Sequence, residues 1–335
     1  MSFRELPHEI IFMIATHIES ENDISSLVRA CRSFHNLLNN YLYERNVNRG
    51  APALLWCAMR GLKTSVERLL KIQTRDKTEN SLQQLDSFNS ISSPLRAAIY
   101  YKHASIVKLL LQHGAGQTSG LPISTPLHTA VEYSSEEVVR TILEHGCNID
   151  VTVPRAAETA LVVAVRKQKP GIVKLLIKHG ACLNTKPHIP AEAVEWKRHI
   201  WTTPLHTAVD GQYENREMAE LLLSEGADVN VRCGDGGTSL HRTTRDMNVD
   251  DSRWLLENGA DPNIIDNEEN SPLHFAINLG RHGAELLELF LEHGADPNLR
   301  CRTAPTHPLE LLDGMDVLEI EELLRGHGAH LPDST

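Results

Sequence analysis

The sequence predicts an all-α repeat protein with a small helical module at its N-terminus. The pattern Thr-Pro-Leu-His-x-Ala recurs along the chain after residue 49, and the first 48 residues lack it. Recurrence with a period of 20 to 50 residues is typical of stacked repeat architectures. The chain has 335 residues, of which 41 % are hydrophobic, so it is long enough for about two or three domains.

Charge and composition disfavour several classes of function. The 33 Lys and Arg residues are outnumbered by 44 Asp and Glu, so the formal charge is −11 and we expect no nucleic-acid partner. The longest early apolar run, residues 10–15, is too short for a membrane span or a signal peptide. The six cysteines form no Cys-x-x-Cys pair. We therefore expect free thiols and an intracellular protein, cytoplasmic or nuclear, without a membrane partner.

Residues 1–48 predict three short helices. Pro7 stands at the start of the first helix, and Ile10, Ile14 and Ile18 fall on one face of it. Asp23 is a candidate cap for the second helix, and the third follows from Leu37. A domain of this size buries little apolar surface by itself, so these faces need a partner.

Each repeat is predicted as a helix, a turn, a second helix and a protruding loop. Thr or Ser caps the first helix, and proline at its first position loses no hydrogen bond. Glycine suits the left-handed position that ends the second helix, and Asp-x-Asn favours the turn that follows. The predicted repeats lie near 51–74, 92–115, 124–147, 158–181, 202–227, 237–260, 270–295 and 306–329, with insertions at 73–92 and 184–202.

Eighteen histidines could indicate catalysis or metal binding, but the repeat pattern explains nine of them. Four belong to the Leu-His step, where we expect bonds to neighbouring backbone, and five precede the helix-ending glycine, where the helix dipole is negative. His8-Glu9 does not complete the zinc-protease motif His-Glu-x-x-His, because Phe12 stands where the second histidine would be. No phosphate-binding loop or nucleophile-elbow string occurs, so we predict no catalytic, cofactor or metal site. The nine are His128, His206, His241, His274, His113, His145, His179, His293 and His327.

Residues 49–332 resemble the ankyrin repeat family in their Thr-Pro-Leu-His-x-Ala pattern and period. The resemblance implies a solenoid of about eight repeats whose first helices and loop tips form a concave surface for a target protein. Tyr, Trp and Arg dominate binding hot spots, which selects candidate target-binding residues after the motif and in the second insertion. These candidates are Tyr100, Tyr101, Tyr133, Arg166, Trp196, Trp201, Tyr213, Arg242 and Arg281.

The N-terminal module resembles an F-box in the order Leu-Pro-x-Glu-Ile, then Asp-Ile-x-x-Leu-Val, then Cys-Arg-x-Phe. F-box proteins dock onto a Skp-type adaptor, which links them to a cullin-RING ubiquitin ligase. The resemblance covers about residues 3–46, and the family layout implies the following adaptor-binding residues. They are Leu6, Pro7, Glu9, Ile10, Ile14, Ile24, Leu27, Val28, Cys31 and Phe34.

Taken together, the two resemblances imply a non-catalytic substrate-recognition subunit of a Skp-cullin-F-box ubiquitin ligase. One alternative is a plain ankyrin scaffold whose N-terminal helices only cap the stack. An enzyme with its site in the 184–202 insertion is a third class, but the sequence offers no acid, base and nucleophile for it.

Overall fold

In the computed structural model of the chain, eight segments can be described. They are 52–75, 93–116, 125–152, 158–184, 202–210, 216–300, 307–312 and 318–330. The all-α prediction is confirmed within these segments, which fold as successive helical hairpins. The F-box-like module, with every predicted adaptor-binding residue, lies outside the described residues, as do Trp196, Trp201 and Tyr213.

Contacts divide the chain into two compact units, Met1–Cys147 and Asn148–Thr335. The N-terminal unit has six described helices in three hairpins. They are α1 (Pro52–Arg60), α2 (Lys63–Arg75), α3 (Pro94–Tyr100), α4 (Ala104–Gln112), α5 (Pro126–Tyr133) and α6 (Glu136–Glu144).

The C-terminal unit continues with four described hairpins and part of a fifth. Its α-helices are α7 (Ala160–Arg166), α8 (Pro170–Lys178), α9 (Pro204–Ala208), α10 (Arg216–Ser224), α11 (Ser239–Arg245), α12 (Val249–Glu257), α13 (Pro272–Asn278), α14 (Ala284–Glu292) and α15 (Leu318–Gly326). Short 3₁₀ helices occupy Gly280–Gly283 and Glu310–Leu312, the latter standing where an eighth first helix would be.

The first helices begin as the motif predicts. The hydroxyl of Ser93, at the start of α3, accepts a hydrogen bond from the backbone N–H of Arg96, and Thr125 does the same for His128 at the start of α5. In the C-terminal unit, Thr203 accepts from His206 in α9. The threonine or serine of the motif therefore has a direct structural function.

The predicted helix-ending glycines are confirmed as well. All seven adopt a left-handed backbone, with φ between +78° and +96°. A side chain there would meet a steric penalty, whereas glycine meets none, so the second helix ends at a fixed distance from the motif. The seven are Gly114, Gly146, Gly180, Gly226, Gly259, Gly294 and Gly328.

The first repeat corrects the predicted register by one residue. The motif leucine was expected at Leu55, but Leu54 is the fully buried residue, followed at the alanine position by Cys57. Hydrogen bonds agree, because the N–H of Leu62 donates to Cys57 as that of His103 donates to Ala98 in the next repeat. Helix α2 also runs to Arg75, into the predicted insertion at 73–92.

First helices pack beside first helices within each unit. In the N-terminal unit α3 lies between α1 and α5, and in the C-terminal unit α11 lies between α9 and α13. The motif leucines, such as Leu95 and Leu273, are buried between them. Each such side chain contributes about 1.5 to 3 kcal/mol by leaving water. We use the name first-helix layer for the exposed side chains of the first helices and of the turn residues that directly follow them.

Asparagines of the Asp-x-Asn turns join neighbouring repeats in the C-terminal unit. The amide of Asn263 donates to the carbonyl of Gly294 at 3.0 Å and accepts from the N–H of Asp296 at 2.7 Å. Asn230 makes the same two bonds, to Gly259 and from Asp261. Equivalent pairs involve Asn184 with Gly226 and Asp228, and Asn298 with Gly328 and His330.

In the second helix of the last repeat a charged residue replaces an apolar one, as is typical of a terminal repeat. Arg325 occupies a position that is apolar in the earlier second helices, and its guanidinium lies 2.9 Å from Glu321. Its side chain is half exposed.

Met247 is the residue for a stability test of the hairpin turn. It is exposed and left-handed, with φ +54°, at the position that Gly61 fills in the first repeat. A Cβ atom in this conformation costs about 1 to 2 kcal/mol, and the greater chain entropy of glycine offsets part of that. Met247→Gly should therefore raise the free energy of unfolding by about 0.5 to 1 kcal/mol in urea titrations.

Met247→Ala is the matched control, since it removes the exposed thioether and keeps the Cβ atom. We expect no gain from alanine. Equal stabilisation by both variants would mean that backbone strain is absent at this turn.

Candidate binding surface

Two of the four motif histidines connect a helix start to the following repeat. The Nδ1 of His241 accepts from the backbone N–H of Thr238 at 3.0 Å, which leaves Nε2–H to donate to the carbonyl of Asn270 at 3.1 Å. His206 makes the equivalent bond to Gly237 at 3.2 Å. The prediction that these histidines bond to neighbouring backbone is thus confirmed for both residues.

Burial keeps the two histidines neutral. It lowers the pKa of His206 and of His241 from the usual 6.5 to about 4, although the carbonyl bonds act in the opposite direction. Protonation of His241 would remove the acceptor at Nδ1 on which the hydrogen bond from the N–H of Thr238 depends.

The five histidines before glycine also have structural partners. Each Nδ1 lies 2.7 to 2.9 Å from the carbonyl oxygen four residues earlier, where the helix dipole is negative. Within the described segments, moreover, no group of three or more His, Cys, Asp or Glu side chains could hold a metal ion.

The described cysteines are free thiols, as expected. Burial raises the pKa of Cys57 to about 11. It also raises the pKa of Cys233 to about 12, and the nearby Asp235 adds to that shift. Neither thiol is therefore prepared for nucleophilic attack at neutral pH.

Three predicted contact residues come together on the first-helix layer of the N-terminal unit. The ring centroid of Tyr100 lies 5.4 Å from that of Tyr101 and 5.7 Å from that of Tyr133. Their exposed fractions are 56, 47 and 49 %. We call these three residues the tyrosine cluster, an exposed aromatic surface that spans two repeats.

Helix α1 extends the exposed surface into the first repeat. Trp56 is 55 % exposed, and the guanidinium of Arg60 lies over its ring at 5.9 Å. Met59 is also exposed and holds the same repeat position as Tyr100. Sequence reasoning missed Trp56 and Met59 because the register of the first repeat was shifted by one.

Two of the three arginines predicted as contacts in the C-terminal unit already bind carboxylates. Arg166 lies 2.9 Å from Glu158, and Arg242 lies 2.5 Å from Asp210. The third, Arg281, is exposed in the Gly280–Gly283 turn. Arg166 and Arg242 are therefore held by their own chain, which makes them weaker candidates for target contacts.

One polar cluster in the C-terminal unit escaped the sequence analysis. Arg245 bridges Asp235 at 2.9 Å and the buried Asp266 at 3.4 Å, and it stacks 4.6 Å above the ring of Phe275. Burial alone would raise the pKa of Asp235, but hydrogen bonds from Cys233, the Gly237 N–H and Arg245 hold that pKa near 2. The cluster fastens two loop tips to the first-helix layer.

The chain belongs to the ankyrin repeat family. The family model for ankyrin repeats (three copies) matches residues 54–153, 95–187, 153–233 and 205–301. These matches cover most of the chain and agree with the described hairpins.

Three curated relatives illustrate the range of similar proteins. The ankyrin repeat protein FPV031 of Fowlpox virus is 31 % identical over 52 % of this chain and 49 % of its own length. Ankyrin repeat and SOCS box protein 16 of Mus musculus is 37 % identical over 29 % and 22 %, respectively. The E3 ubiquitin-protein ligase KEG of Arabidopsis thaliana is 34 % identical over 27 % and 6 %. The chain thus matches half or less of each relative.

A solved structure supports the same fold. The ankyrin repeat domain of Bcl-3, a member of the IkappaB protein family, aligns with a TM-score of 0.52 and 27 % identity over 66 % of this chain and 91 % of that domain. Separately, the described helices include none long and apolar enough to cross a membrane. Ankyrin repeats bind proteins, and this chain's described residues fit that role.

Acid should destabilise the C-terminal unit through its buried histidines. Since the folded pKa values of His206 and His241 are below the unfolded value of 6.5, the unfolded chain binds more protons between pH 6.5 and 4. Stability from these residues is thus complete above pH 6.5 and falls as the pH drops towards 4, by up to about 1.4 kcal/mol per pH unit for each histidine. Urea unfolding across this range measures the slope.

The double variant His206→Gln, His241→Gln provides the comparison. Glutamine can donate to the same carbonyls but cannot take up a proton, so the slope between pH 6.5 and 4 should be shallower. An unchanged slope would show that other groups govern acid unfolding; Asp235, with its pKa near 2, acts only at lower pH.

Proposed function

We propose that the protein is a substrate-recognition subunit of a Skp-cullin-F-box ubiquitin ligase. Its ankyrin repeats would bind a target protein, and its N-terminal helices would bind the Skp-type adaptor. The single observation that carries the ligase part is the ordered set of F-box-like residues, Leu6-Pro7-x-Glu9-Ile10 followed by Asp23 and Cys31-Arg32.

The repeats support the recognition half of this proposal. The tyrosine cluster and Trp56 expose aromatic side chains on the first-helix layer. Aromatic residues provide large contact areas at a low entropic cost, which is why they dominate binding hot spots. The described residues hold no group of three or more His, Cys, Asp or Glu that could bind a metal ion, and burial raises the pKa of the Cys57 and Cys233 thiols.

The relatives lend weaker support to the ligase half. One relative is named as an E3 ubiquitin-protein ligase, and another combines ankyrin repeats with a SOCS box. In this chain the corresponding arrangement would be ankyrin repeats joined to an F-box. Matching segments are short in both relatives, so the N-terminal motif carries the argument.

In this role the protein acts as a tether. Holding a target beside a charged ubiquitin carrier raises its effective concentration, and the chain itself supplies no reacting group. The main alternative is an ankyrin scaffold whose N-terminal helices cover the first repeat and never contact an adaptor.

Co-purification with a Skp-type adaptor tests the proposal. The wild-type chain should capture the adaptor, and Leu6→Asp with Ile14→Asp should reduce capture by at least about tenfold, because two charges enter an apolar contact. Capture that the two changes leave intact, or no capture by the wild type, would contradict the proposal.

Two controls separate docking from misfolding. A variant with Tyr100→Ala and Tyr133→Ala should capture the adaptor as the wild type does, since these residues belong to the target-binding surface. Residues 49–335 expressed alone should retain the helical circular dichroism of the repeats. Loss of that folded signal would favour the cap alternative.

A further inference from the structure

The first-helix layer carries different chemistry in the two units. In the C-terminal unit the arginines that project from this layer bind carboxylates of the same chain, as Arg166, Arg242 and Arg245 do. The first-helix layer of the N-terminal unit holds Arg60, Arg96 and Lys102, and none of these three forms an ion pair with a described residue.

These three cations lie among the exposed aromatic side chains. Arg60 stacks on Trp56 and shares its repeat position with Tyr101. Arg96 is one helical turn from Tyr100, so both side chains project from the same face of α3. Lys102 follows the tyrosine cluster directly and is exposed.

We propose that this surface, the aromatic–basic patch, binds an acidic segment of a partner protein that also carries aromatic or leucine side chains. The patch comprises Trp56, Arg60, Arg96, Tyr100, Tyr101, Lys102 and Tyr133. This inference rests on the proposed function and specifies the chemistry of the target.

Charge complementarity selects this occupant. Among the described residues, these three cations have no ion-pair partner, and the first helices of the N-terminal unit carry one carboxylate, the half-buried Glu132. The chain as a whole has a charge of −11, so an acidic segment is repelled by most of the molecule and attracted here. The charge therefore fixes where the segment docks.

The aromatic side chains explain why charge alone is insufficient. Rings with about half of their surface in water gain free energy when an apolar side chain covers them. A segment with alternating acidic and apolar residues pairs with the cations and covers the aromatic rings, whereas a purely acidic segment leaves the rings exposed to water. Nucleic acid could stack on the same rings, so it is included as a competitor in the test.

The test uses the full chain and fluorescein-labelled peptides, with binding measured by anisotropy. The probe alternates Glu with Phe and Leu, and a second peptide has Gln in place of every Glu. We expect the acidic peptide to bind at least about tenfold more tightly than its Gln counterpart. Affinity should fall with rising salt, because exposed charges are screened.

Two double variants of the patch should weaken binding of the acidic peptide by at least about tenfold. They are Arg60→Glu with Arg96→Glu, and Tyr100→Ala with Tyr133→Ala. The matched control, Lys108→Glu with Arg140→Glu, changes the same charge on exposed residues of the second helices α4 and α6 and should leave affinity unchanged.

Several results would overturn the inference. They are equal binding of the Gln peptide, unchanged affinity in either patch variant, equal weakening by the Lys108 and Arg140 control, and tighter binding of single-stranded DNA than of the acidic peptide. Circular dichroism of each variant excludes misfolding. Adaptor capture measured on the same preparations reports on the proposed function separately, because the peptide assay contains no adaptor.

Discussion

The side-chain hydrogen bonds from each repeat to the next are the interaction on which the C-terminal unit depends. Asn230 and Asn263 each satisfy one carbonyl and one N–H of the following turn, and His206 and His241 reach the following loop. Each bond links a side chain of one repeat to the backbone of the next, so together these contacts fix the spacing of the repeats. The apolar first helices can then pack in one register.

Because buried and turn residues hold the repeats together, the exposed positions can differ between repeats. The buried leucines, the helix-ending glycines and the bridging asparagines repeat along the chain, whereas the exposed ends of the first helices do not. In the C-terminal unit those positions carry ion pairs within the chain, such as Arg242 with Asp210. In the N-terminal unit they carry the aromatic–basic patch, which is why we place target recognition there.

Much of the fold follows from the sequence because it depends on local chemistry. Caps, prolines, glycines and the histidines near helix ends act within four residues, and the structure confirms them. The register of the first repeat was wrong because Leu54 and Leu55 are both apolar and the Thr-Pro step that fixes the register elsewhere is missing there. The Arg245 cluster joins residues 10 and 21 positions apart through loop tips, which a repeat pattern does not reveal.

The most direct test of the asparagine bridges is the free energy of unfolding of Asn263→Ala, compared with that of Asn278→Ala. Asn278 lies exposed in α13, and no hydrogen bond involves its side chain among the described residues. We expect Asn263→Ala to lower the free energy of unfolding by about 1 to 2 kcal/mol, and Asn278→Ala to lower it by at most about 0.5 kcal/mol. Equal, small effects of the two variants would contradict the claim that these bridges hold the repeats together.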